Sequence, residues 1–84
     1  MQVMVELSLY PLVNEYIPPI QDFIDRLNSY SEISVSTSST STQVTGDYGV
    51  VMKVLGEEMQ RTHEEVGQAI FVAKFLNFAK SKIV

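Results

Sequence analysis

His63 is the only histidine of the 84-residue chain, and cysteine is absent. A base or metal site needs several groups converging on one point. The neighbours of His63 are Glu64 and Glu65, and adjacent residues of a helix point in different directions. The histidine therefore reads as a solvated helical residue with no chemical role. The pairs Glu57, Glu58 and Glu64, Glu65 read, by the same rule, as charge that keeps the surface soluble. Serine is plentiful, but a hydroxyl near neutral pH needs a positioned base to become a nucleophile. Gly46-Asp47-Tyr48-Gly49 is too short and isolated to cradle a phosphate, and no GxGxxG or Walker pattern occurs. These residues predict no catalytic group, no cofactor and no metal: not an enzyme.

What remains is a concentration of hydroxyls. In residues 31 to 45, SEISVSTSSTSTQVT, ten of fifteen are Ser or Thr. Tyr10 and Glu6 are expected on a neighbouring strand. Hydroxyl donors and acceptors beside an aromatic ring suit a flat, polar heterocycle held by stacking and by bonds to its edge, and Glu6 suits a cationic group. The plainer alternative is an exposed strand pair or an intersubunit contact, since Thr-rich strands are common.

Positioning those hydroxyls requires a sheet. From Gln2 to Tyr10 the side chains alternate, with Val3, Val5, Leu7 and Leu9 on one face and Met4, Glu6, Ser8 and Tyr10 on the other. Pro11 ends that strand. Asn14, Pro18 and Pro19 mark a helix start. Ile17, Ile20, Phe23, Ile24 and Leu27 then form one apolar stripe, with Gln21, Asp22, Asp25 and Arg26 facing away, as far as Asn28 to Tyr30. The Ser/Thr segment reads as a hairpin, with strands over 32–37 and 41–45 around Ile33, Val35 and Val44. A flexible polar linker is the alternative there, but it would leave only two strands, which make a marginal sheet.

Asp47 is a plausible N-cap for a second helix. Its stripe is Val51, Val54, Leu55, Met59, Thr62 and Val66, and Gly67 is its stop. Gln68 to Asn77 completes the pattern as a strand, with Phe71, Ala73 and Phe75 on one side and Ile70, Val72 and Lys74 on the other. Two βαβ halves joined by a hairpin give a ferredoxin-like α+β fold, βαββαβ, with an antiparallel four-stranded sheet and two helices on one face. The open face is mixed and hydroxyl-rich.

The length fits one domain over 1–84 with a modest core, so self-association is expected. A formal charge of -4 and a basic cluster confined to Lys74, Lys80 and Lys82 argue against nucleic acid. No stretch approaches the roughly 20 apolar residues of a membrane span. The N-terminus lacks a basic leader, and Glu6 interrupts it. A cytoplasmic protein is the expectation.

Val5-Glu6-Leu7-Ser8-Leu9-Tyr10-Pro11-Leu12 and Ser41-Thr42-Gln43-Val44-Thr45-Gly46-Asp47 resemble segments of the YkoF-like thiamine and hydroxymethylpyrimidine-binding family. The likeness runs over nearly the whole chain, to about Phe78, and departs from the family in the Ser and Thr that fill the hairpin. The resemblance implies a ferredoxin-like fold, strand-mediated homodimers often paired into homotetramers, and binding of thiamine or its pyrimidine precursor without catalysis. By position it assigns ligand contact to Ser8, Tyr10, Ser41 and Thr42. Ser38 and Glu6 join them by proximity. An interaction module with no small ligand is the rival reading.

Overall fold

The computed structural model describes residues 1–77; Lys80, Lys82 and the tail that holds them lie outside the described residues. The elements are β1 (Gln2–Pro11), α1 (Ile17–Asn28), β2 (Ser34–Thr37), β3 (Thr42–Asp47), α2 (Tyr48–Val66) and β4 (Ala69–Asn77). The strands form one antiparallel sheet in the order β2-β3-β1-β4. This is the expected ferredoxin-like α+β arrangement.

Alternation in β1 decides which face is covered. Val3, Val5 and Leu7 are buried and meet Val44 of β3, Phe23 and Leu27 of α1, and Val51, Val54 and Leu55 of α2 in a single core. Phe23 stacks tilted on Phe71 of β4 with ring centroids 5.1 Å apart. Gly46 lies where a Cβ would meet Val51 Cγ2 at 3.2 Å and the Glu32 carbonyl at 3.3 Å, so its lack of a side chain lets α2 approach β3.

The helix ends follow local chemistry. Asp47 caps α2, its carboxylate accepting from the Val50 N–H at 3.3 Å. Gly67 ends it at φ 93°, a left-handed backbone that a Cβ disfavours, and its N–H donates to the His63 carbonyl at 3.0 Å. Pro18 and Pro19 stand in the first turn of α1 as expected, whereas the N-cap is Tyr16, with no side-chain bond, rather than Asn14.

Three expectations need correction. Ile17 is exposed, because the first turn of α1 projects past the core. Arg26 and Glu58, expected to face water, are buried between the helices: their side chains are 11% and 9% exposed, with Arg26 Nε donating to Glu58 Oε1 at 2.6 Å. Arg26 Nη2 also donates to the Glu58 carbonyl at 3.1 Å and to Thr62 Oγ1 at 2.7 Å, and Tyr30 donates to Glu58 Oε2 at 2.6 Å. Asp22 completes the ring of partners around Arg26. Burial pushes the Glu58 carboxyl up, but the hydrogen bonds from Tyr30 and Arg26 and the Arg26 charge outweigh it and hold the group below its ordinary value. The same bond to Glu58, then burial, raises Tyr30. Other α2 charges behave as surface groups, Arg61 pairing with Glu65 and Gln60 with Glu64 one turn on. His63 is exposed but not idle: Nε2 lies 3.0 Å from the Ala69 carbonyl and its ring meets Phe71 edge-on, tying the end of α2 to β4.

No helix among the described residues is long and apolar enough to cross a membrane.

Candidate functional site

The site follows from a mismatch of strand lengths. The β1–β3 ladder ends at Leu7↔Thr42, while the β1–β4 ladder runs on to Pro11↔Ala69. Beyond Leu7, therefore, β1 has a neighbour on one edge only. The hairpin tip and α1 flank the other edge and leave a cleft of about 330 Å³ between them.

Its walls come from three elements. Leu7 to Pro11 of β1 form one side, Ile20, Phe23 and Ile24 of α1 the second, and residues 37–42 of the hairpin the third, with Tyr16 at the entrance. The interior is aliphatic and aromatic; the rim is hydroxyl and main chain. This apolar body with a few convergent polar groups is the usual make-up of a small-ligand pocket, and its volume falls at the low end of the range.

The hairpin tip is built by its own side chains. Ser38 N–H donates to the Ser41 carbonyl at 2.9 Å, and the Ser38 hydroxyl accepts from Thr40 N–H at 3.3 Å and Ser41 N–H at 3.2 Å. Hydroxyls that bond the backbone two and three residues on are a standard turn device. The Ser8 hydroxyl then donates to the Thr40 carbonyl at 3.0 Å and pins the tip to β1.

A second depression of about 280 Å³ adjoins the first on the open sheet face; the two share Ser8, Tyr10, Thr40 and Ser41, and Glu6 and Lys74 belong to the second. Ser41 Oγ donates to Glu6 Oε2 at 3.1 Å, and Lys74 Nζ stands 3.8 Å from Glu6 Oε1.

The six residues singled out in the sequence thus fall around one corner of the molecule, in different roles. Tyr10 is 54% exposed and borders both depressions. Ser8 and Ser41 lie at the shared rim, Ser38 braces the turn, and Glu6 reaches only the open-face depression. Thr42 lines the first cleft from the helix-covered face, where it is buried with its hydroxyl 3.3 Å from that of Thr37. The strand's alternation therefore puts Thr42 on the opposite face from Ser41. Sequence reasoning misses the wall from α1: it places Ile20 and Ile24 on the apolar stripe of the helix and marks no cleft beside them. The available signal was length, since a strand over 2–10 outruns one over 41–45 and leaves part of the helix stripe with no β3 beneath it.

The class this fold defines is a ferredoxin-like α+β domain, and its likeness to solved structures is a likeness of fold. Protein SP2199 from Streptococcus pneumoniae shares 20% identity at a TM-score of 0.85, over 96% of this chain and 92% of that one. A Thermotoga maritima protein provisionally assigned to thiamine biosynthesis or salvage, TM0486, shares 15% identity at a TM-score of 0.86, over 100% of this chain and 91% of that one. A domain of unknown function, DUF77, from Bacillus cereus shares 15% identity at a TM-score of 0.74, over 100% and 83%. No protein-family model matches the sequence, and no curated protein matches it.

Proposed function

We propose that this chain is a noncatalytic binding protein, acting as an oligomer, that holds thiamine or its hydroxymethylpyrimidine moiety in the cleft between α1, the end of β1 and the hairpin tip. The observation that carries the reading is the cleft: its apolar interior, its hydroxyl and main-chain rim, and Tyr10 and Tyr16 standing at its edge suit one flat heterocycle. The assignment of the Thermotoga neighbour and the resemblance of the strand and hairpin segments to the thiamine-binding family support the ligand class. Binding without chemistry fits the surroundings, since Glu6 is already engaged by Ser41 and Lys74, and His63 by Ala69.

The test is thermal unfolding with thiamine and with hydroxymethylpyrimidine. A ligand at 100 times its dissociation constant stabilises by about 2.7 kcal/mol, which for a domain this small raises the midpoint by roughly 10 °C or more. Tyr10→Ala is expected to abolish the shift. A flat response to both compounds up to millimolar concentration rejects the ligand.

One observation favours the rival reading, an interaction module. Tyr10, Ile70, Val72 and Leu76 are exposed along the open face of β1 and β4, an apolar strip that association would cover. Sedimentation of the 9.4 kDa chain separates the two. A monomer indifferent to both compounds supports the module, and an oligomer that responds to either supports the binder.

A further inference from the structure

Five consecutive residues of β1, Leu7 to Pro11, border the cleft. Alternate side chains of a strand point to opposite faces, so a run of five meeting one cavity means that the edge of the strand, its main chain, forms that wall.

Two hydrogen bonds fix which main-chain groups point there. Residues of a strand send N–H and C=O to the same edge, and successive residues alternate edges. The Met1 carbonyl accepts from Tyr48 N–H at 2.9 Å on the β3 side, and Leu12 N–H donates to the Gln68 carbonyl at 3.1 Å on the β4 side. Odd-numbered residues of β1 therefore face β3 and even-numbered ones face β4. Leu7 meets Thr42 at the last rung, and Leu9, the next in the series, directs its N–H and C=O past the end of the ladder into the cleft. Among the described residues, no loop or turn bonds reach Leu9. Its side chain is half-buried against the core, so the donor and acceptor beside it are partly screened from water, where an unmet hydrogen bond is costly.

We propose that the Leu9 N–H and C=O read the edge of the ligand, and that the ligand class is a heterocycle carrying a ring-nitrogen acceptor next to an exocyclic amino donor. This rests on the cleft being the ligand site. The ring nitrogen accepts from Leu9 N–H and the amino group donates to Leu9 C=O, as a residue of a partner strand does. Pro11 decides between a small ring and an added strand. It is the next residue facing this edge and has no N–H, so a peptide strand loses the donor it needs there, whereas a single ring spans only Leu9.

The test is an amide-resolved NMR titration of the whole chain with hydroxymethylpyrimidine and with its N,N-dimethylamino counterpart, which keeps the ring and removes the donor. The Leu9 amide proton should move downfield on binding, and the dimethylamino compound should bind roughly tenfold to a hundredfold more weakly. If resonances of Tyr10, Ile20 and Ile24 move while Leu9 stays put, or if both compounds bind alike, main-chain reading is overturned and the cleft remains the site. If no resonance moves with either compound, the cleft assignment fails and takes main-chain reading with it.

Discussion

Replacing Glu58 with alanine is expected to lower the unfolding midpoint by roughly 12 °C or more. The carboxylate receives Arg26 at 2.6 Å and the Tyr30 hydroxyl at 2.6 Å between two packed helices, and its removal strands a guanidinium that is 11% exposed. Breaking a buried ion pair by deleting one partner costs about 3–5 kcal/mol. Asp22 and Glu65 still reach Arg26, which places the loss toward the low end of that range. In a domain of this length each kcal/mol moves the midpoint by roughly 4–8 °C. Glu58→Gln keeps the shape and some of the hydrogen bonding and should fall between the variant and the wild type.

Acid gives the same interaction a second readout. The folded-state pKa of Glu58 lies below its ordinary value of 4.5, so its contribution is fully present above that pH and is lost as pH falls through the depressed value. Denaturant curves should show the wild type and Glu58→Gln drawing together in that window. A constant gap from neutral pH down to full acidification would contradict the assignment.

The second large effect belongs to Phe23. It is 2% exposed, stacks on Phe71 and lends its ring to the wall of the cleft, so it serves the core and the site at once. Phe23→Ala should cost about 3–5 kcal/mol in urea unfolding, a large share of the roughly 4–13 kcal/mol expected for a chain of this length. Phe23→Leu, which refills most of the space, should cost far less. A loss under 1 kcal/mol for the alanine variant would mean that the ring is not the packing centre between α1 and β4.

Much of the fold was legible because its signals are periodic. Alternation in Val3, Val5 and Leu7 and the stripe of Val51, Val54 and Leu55 gave the covered face directly, and Asp47 and Gly67 marked the ends of α2 as their chemistry requires. The buried ion pair is legible only in part. Glu58 stands four residues after Val54, three after Leu55 and four before Thr62, on the buried stripe itself. Residue type points to the surface and position to the core, and only the three-dimensional meeting with Arg26 makes a carboxylate tolerable there.

The site divided along the same line. The hydroxyls of the hairpin and Tyr10 stand out by composition, and they do gather at one corner. What composition could not show is which of those hydroxyls the chain uses on itself. Ser38 is engaged within its turn, Thr42 lies under the helices, and Ser8 fastens the tip. The cleft arises instead from a missing strand segment, and an absence in the ladder leaves no mark on any one residue.

The pairing of β1 with β4 also governs the order in which the chain can assemble. The first strand sits in the middle of the sheet, and its longest ladder joins it to the last strand, across nearly the whole sequence. The hairpin and both helices can form early from nearby residues, but the central strand keeps a bare edge until the final segment arrives. Closing so long a loop spends entropy before any contact repays it, which slows folding and prolongs exposure of an apolar edge. During synthesis, β1 is therefore made well before β4, the strand that covers its longest edge.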